Sequence, residues 1–209
     1  RTFRPPKRVR RTLPKAFYSK KNPVCVAKQL LGKVLWVRGK GGVCRARIVE
    51  TEAYGGSLDR ASHAWCGRTR RNESMFGAPG TAYVYLCYGI HRMFNVVTGP
   101  TGWPAAVLIR GVEPMEGADR MARRRGVSVD DFRLSSGPGA LTEAMGIESD
   151  ADRCDLVSGS IRIEDDGVRY PRTKIQAGRR VGVSYAGPAA FFPWRFSVRG
   201  NPWVSRARA

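Results

Sequence analysis

The run at residues 43–54 (VCRARIVETEAY) constrains the chain more than any other, because its alternation of small or apolar with polar residues is that of a β-strand. In that period of two, Cys44, Ala46, Ile48, Glu50, Glu52 and Tyr54 share one face, so apolar positions lead straight into two carboxylates. The apolar part of such a face has to be covered, and the acidic part calls for a cation. Arg110 is the single charge in the apolar run at 105–112, in phase with Ala106 and Leu108, and it supplies that cation if the two strands approach one another. Glu52 with Arg110 is then either a screened carboxylate able to handle a proton or a structural ion pair, and the spacing leaves both readings open.

The other elements follow from local signals. Asn22 as N-cap, Pro23 at the first helical position and Gly32 as the stop predict a helix over 22–31. A strand over 33–38 and a glycine-rich turn at 39–42 complete a hairpin with the central strand. Strands over 82–87 and 93–97 flank a hairpin tip at 88–91, and helices are expected at 114–125 and at 138–145, the second capped by Ser136. Short strands are expected from the segments VGVSYAG, WRFSVRG and NPWVSR. Between 55 and 80 lies a loop rich in Gly and Arg, of a length usually reserved for function. No internal repeat or linker divides the chain, so it reads as one mixed α/β (α+β) domain over 1–209, with an irregular basic tail at 1–15.

Charge narrows the partner. With 37 Lys+Arg against 17 Asp+Glu, the net charge is +20. Residues 1–49 hold 15 of the basic residues and no carboxylate, and residues 167–209 hold nine more and again none. Basic outer segments around a middle that keeps every acid fit an anionic polymer, and nucleic acid leads. The acid-rich segment 143–166 is expected to face away from the basic surface. No run of about 18 consecutive apolar residues is present, which argues against a membrane-spanning helix. The basic segment 1–11 is not followed by an apolar stretch, so no secretory signal is expected. Five scattered cysteines without a CxxC pair, and only His63 and His91 beside them, predict reduced thiols and no metal site.

Tyr54, Tyr83, Tyr85 and Tyr88 cluster around these segments, and a tyrosine offers a flat face with a polar edge suited to a nucleobase. Tyr83 and Tyr85 also read as ordinary strand aromatics, whereas Tyr88, at a hairpin tip before Gly89, has no core to join. His63 in the long loop is a pocket candidate. Asn95, among apolar strand residues, needs a hydrogen-bond partner, and a bound base is one.

Taken together, RIVETEAY (47–54), ASHAW (61–65), RNESMFGAPGTAYVYLCYG (71–89), FNVV (94–97), VLIRGVEPMEG (107–117), LSSGP (134–138), RVGVSYAG (180–187) and RFSVRGNPWVS (195–205) resemble the alkyladenine (3-methyladenine) DNA glycosylase family in motif order, as a bacterial member. The resemblance implies a curved antiparallel sheet with surrounding helices and a protruding β-hairpin. It implies a monofunctional enzyme that flips damaged purines out of duplex DNA and hydrolyses the N-glycosidic bond without a cofactor. It assigns catalysis to Glu52 and Arg110, the base pocket to Tyr54, His63, Tyr85 and Asn95, and DNA intercalation to Tyr88. A monomer on chromosomal DNA in the cytoplasm is expected, or in the nucleus for a eukaryotic source. The competing reading is a non-enzymatic RNA-binding or ribosome-associated protein, which the charge alone would satisfy but which leaves Glu50, Glu52 and the tyrosines unexplained.

Overall fold

A computed structural model of the chain describes residues 10–206. In chain order the elements are β1 (Arg11–Thr12), α1 (Lys15–Tyr18), α2 (Pro23–Leu30), β2 (Val34–Gly39), β3 (Gly42–Tyr54), β4 (Ala82–Cys87), β5 (His91–Thr98), β6 (Ala105–Glu116), α3 (Ala118–Arg125), α4 (Pro138–Met145), β7 (Ile161–Asp165), β8 (Ile175–Gly178) and β9 (Arg195–Val198), with short 3₁₀ turns between them. The strands form one antiparallel sheet in the order β1-β7-β2-β3-β6-β5-β4, with β8 and β9 branching from β3. Opposite β6, β3 pairs first with β2 through residues 42–47 and then with β9 through residues 50–52. That change of neighbour lets the sheet curl into a half-barrel, and the expected mixed fold with a curved antiparallel sheet and a protruding β4–β5 hairpin is the one observed.

The curl coincides with paired irregularities. Ile48 lies opposite Val112, Glu50 opposite Gly111 and Thr51 opposite Ile109, so Val49 and Arg110 are each left without a partner across the β3–β6 ladder. An extra residue reverses the alternation of faces beyond it. Cys44, Ala46 and Ile48 therefore enter the main core from the first half of β3, but Val49 and Ala53 enter it from the second half. Thr51 reaches the same side, its hydroxyl donating to the Ala27 carbonyl of α2 at 3.0 Å. This corrects the expectation of one shared face: Glu50, Glu52 and Tyr54 lie on the sheet face opposite Cys44, Ala46 and Ile48. Within β6, Val107, Ile109 and Val112 belong to the core in the same switched pattern.

Helix α2 starts as the capping signal predicts, with the Asn22 side chain accepting from Val24 N at 3.0 Å and Pro23 in its first turn. Other expectations fail for identifiable reasons. Residues 114–116 extend β6 instead of opening a helix, because Pro114 and Glu116 pair with Ala46 and Arg45 at a further register shift; α3 starts only at Ala118. Gly137, and not Ser136, precedes α4, since Ser136 bridges back to Gly111 of the sheet. The segment VGVSYAG forms no strand and runs into 3₁₀ turns over Ser184–Phe191. Of the basic tail expected at 1–15, residues 1–9 lie outside the described residues, and 10–15 are tied into the fold in part. Arg11 and Thr12 pair opposite Asp165 and Glu164, Leu13 is buried, and Lys15 opens α1. The acid-rich segment does not face away from the basic surface either, for Glu143, Glu148, Glu164, Asp165 and Asp166 form ion pairs with Arg125, Arg92, Arg45, Lys33 and Arg47. No helix among the described residues is long and apolar enough to cross a membrane.

Candidate active site

On the sheet face away from the core lies a cavity of about 650 Å³, within the range of small-molecule pockets. Its walls come from β4, β5 and β6 (Tyr83, Tyr85, Asn95, Leu108, Arg110), from the end of β3 (Tyr54), from the long loop (Ser62, His63, Arg71) and from residues 181–185. Tyr88 stands at its mouth on the tip of the β4–β5 hairpin, 90% exposed. Ile90 N donates to the Cys87 carbonyl at 3.2 Å, and the two central turn residues have φ of 51° at Tyr88 and 74° at Gly89. Both values lie in the left-handed region, which glycine enters freely but a tyrosine enters at a cost. A large aromatic ring is thus held out into solvent by a strained turn.

The inner wall is aromatic. Tyr83 and Tyr85 stack with centroids 5.2 Å apart, and His63 meets Tyr85 edge-on at 4.6 Å. His63 Nδ1 and the Tyr83 hydroxyl share a hydrogen bond of 2.9 Å. Burial and the nearby Arg71 lower the His63 pKa, so its imidazole is neutral at neutral pH. Asn95 is buried, and its amide donates to the Tyr83 carbonyl at 3.2 Å. Tyr83, with its alternative reading as a strand aromatic, is buried in a small cluster and also lines the cavity, as does the less buried Tyr85.

The two glutamates are both fully buried but differ in how their acceptor sites are used. Glu50 Oε1 accepts from Arg110 Nε at 3.1 Å, Arg195 Nε at 2.6 Å and the Ser205 hydroxyl at 2.9 Å, while its Oε2 accepts from Ser205 N at 2.7 Å. Three of these donors meet Oε1 and one meets Oε2, and together they tie Glu50 to Arg110, Arg195 and Ser205. Glu52 Oε2 accepts from the Tyr54 hydroxyl at 2.8 Å and faces Arg110 Nη1 at 3.4 Å, and its Oε1 accepts from Val181 N at 2.8 Å. Tyr54, Val181 and Arg110, which meet Glu52, all line the cavity, whereas Arg195 and Ser205, which hold Glu50, do not. Arg110, expected beside Glu52, bridges both carboxylates, with Glu50 the closer. Burial opposes its charge, but Glu52 and Glu50 outweigh that penalty and raise its pKa.

Burial, and then the adjacent Glu52 charge, push the Tyr54 pKa well above its ordinary value, keeping the phenol a donor to that carboxylate. Burial raises Tyr83 and Tyr85 in the same direction. In the unfolded chain these three phenols ionise near pH 10, while in the folded protein they keep their protons. The folded state then binds more protons, and stability falls as pH rises through 10. With each group contributing about 1.4 kcal/mol per pH unit, the tyrosines give a loss of about 4 kcal/mol per unit above pH 10. Urea unfolding at pH 9, 10 and 11 should show the midpoint dropping; a midpoint that holds steady contradicts buried, protonated phenols.

Six of the seven residues proposed from sequence, Tyr54, His63, Tyr85, Tyr88, Asn95 and Arg110, line this one cavity, and Glu52 sits directly behind three of its lining residues. Sequence reasoning missed the Val181 N–H, because a backbone donor leaves no mark on residue type. It also missed Ser205, which folds back onto Glu50 where Gly111 gives it room: a Cβ at Gly111 would meet the Trp203 carbonyl at 2.6 Å. The family described as Methylpurine-DNA glycosylase (MPG) matches residues 16–202. A protein of Anaeromyxobacter dehalogenans (strain 2CP-C), named "Putative 3-methyladenine DNA glycosylase", is 51% identical over 93% of this chain and 86% of its own length. Proteins of the same name from Methanocella arvoryzae and Clostridium tetani are 45% and 42% identical, over 93% and 91% of this chain and 96% and 97% of their own lengths.

Proposed function

The chain belongs to the methylpurine-DNA glycosylase family, and we propose that it flips a damaged purine from duplex DNA into the described cavity and hydrolyses its N-glycosidic bond, with Glu52 as the base. A role as a DNA glycosylase in DNA repair follows from the family. The assignment of Glu52 is carried by one observation: of the two buried glutamates, Glu52 is the one held by residues that line the cavity, Tyr54, Arg110 and Val181, whereas Glu50 is tied to Arg195 and Ser205 outside it.

In this reading a water held by Glu52 attacks C1′ of the flipped nucleotide. The C1′–N bond breaks, its electron pair leaves with the purine, and the water's proton passes to Glu52 as the C1′–O bond forms. Arg110 and the Val181 N–H hold the carboxylate in place, and the charge of Glu52 favours the cationic sugar of the transition state. Tyr85 and His63 offer the base an aromatic face and edge, Tyr54 closes the pocket floor, and Asn95 tests the exocyclic edge of the purine. The mechanism requires neither a covalent intermediate nor a cofactor.

Flipping costs a few kcal/mol in lost stacking and pairing. Tyr88, presented on its strained turn, is the wedge that fills the gap left in the duplex. Tyr88→Ser should therefore slow single-turnover release about tenfold for hypoxanthine paired with thymine, a well-stacked lesion. The same lesion opposite an abasic gap, where extrusion is easier, should lose much less. Equal loss on both duplexes would place Tyr88 in the pocket instead. Release of free base from alkylated duplex DNA by the purified protein separates the whole proposal from a non-enzymatic nucleic-acid-binding role.

A further inference from the structure

Next to Val181, the Arg180 side chain is wholly buried and forms no part of the cavity wall. Its guanidinium donates through Nη1 to Asp59 Oδ2 at 2.5 Å and the Ala53 carbonyl at 3.0 Å, and through Nη2 to Asp59 Oδ1 at 2.9 Å and the Ala189 carbonyl at 3.0 Å. It also lies 4.9 Å from the Tyr54 ring centroid and 5.1 Å from that of Trp194. Asp59, itself buried, accepts in addition from Gly55 N and Ala61 N, both at 3.0 Å. One ion pair thus ties together the strand at Ala53, between Glu52 and Tyr54, the loop that leads to Ser62 and His63, and the segment whose Val181 N–H meets Glu52.

Two charges with no exposure are a poor device for stability, because desolvation offsets most of their attraction and a well-packed apolar pair is often as stable. What a bidentate guanidinium–carboxylate pair supplies instead is fixed direction. The Val181 N–H must point at Glu52 Oε1 from a segment without regular strand pairing, and the neighbouring residue is the anchored one. We propose that Arg180 and Asp59 are positioning residues that hold the Val181 N–H and the Glu52 carboxylate in register, so that they act on base release through Glu52. This rests on the function proposed above.

The test is a set of variants studied by single-turnover release at saturating enzyme, well below each variant's own melting temperature. Arg180→Lys keeps the charge beside Asp59 but cannot reach Ala53, Asp59 and Ala189 together. It should lower the saturated release rate at least about tenfold, the order expected for a small misplacement of a reacting group, while the Kd for lesion DNA changes less than about twofold. In a Glu52→Gln background the same change should cost less than about twofold, because its route of action is already removed. The double variant R180M/D59L leaves no lone buried charge, and its expected result is a folded protein with the same low release. Normal release by a folded R180K or R180M/D59L overturns the proposal, as does an equal fractional loss with and without Glu52, which marks a general packing role. Absence of base release from the unaltered protein would instead overturn the proposed function.

Discussion

Glu52→Gln should leave the fold and lesion-DNA binding intact and reduce base release by at least about a hundredfold, the scale of a positioned general base. The substitution keeps shape but replaces one acceptor oxygen with an amide donor. That donor must then confront either the Val181 N–H or the Tyr54 hydroxyl, both of which now donate to the carboxylate, and the Arg110 ion pair with it is lost. Arg110 keeps Glu50, its nearer ion-pair partner, so the melting temperature should fall less than in a Glu50 variant. Binding by gel shift or anisotropy and release by chromatography of the free base separate the two effects. Retained release in the Glu52 variant would mean that the wrong carboxylate has been assigned.

Glu50→Ala should fail in the opposite way, by loss of stability. It removes the acceptor shared by Arg110, Arg195 and both donors of Ser205, taking from Arg110 the nearer of its two carboxylates. Breaking a buried pair from one side costs about 3–5 kcal/mol. At about 2–4 °C per kcal/mol for a chain of this size, the melting temperature should fall by roughly 6–20 °C. Thermal unfolding monitored by circular dichroism reads this directly, and a shift under about 2 °C would contradict a structural role for the Glu50 network. The two predictions together set a glutamate proposed to govern rate against one expected to govern stability, two residues apart on one strand.

What was legible in the sequence, and what was not, follows from where each piece of information resides. Asn22, Pro23 and Gly32 mark the limits of α2 because a cap, a fixed φ and a stop are properties of single side chains. Glu50, Glu52 and Arg110 stood out because charges are unusual in apolar strands, and Tyr88 because it sits at a hairpin tip with no core to join. The face reversal in β3 was hidden, since a bulge at Val49 carries no signature of its own and a strict period of two carries straight through it. Residues 114–116 read as a helix start because Pro114 suits that position, yet cross-strand pairing with β3 decided otherwise. Arg180 was indistinguishable from a solvated basic residue until Asp59, far from it in sequence, was brought beside it. Long-range partners and backbone donors are set by the tertiary fold, and composition and periodicity do not report them.

The central claim, that Glu52 directs water at the bond between a damaged purine and its sugar, is tested most directly by product analysis on a duplex carrying one defined lesion. The unaltered protein should release the free purine and leave an abasic site in equal amount. The phosphodiester backbone should stay unbroken, and no adduct should be trapped by borohydride. Strand cleavage in step with base release, a trapped protein–DNA adduct, or lesion binding without any free base would each contradict it.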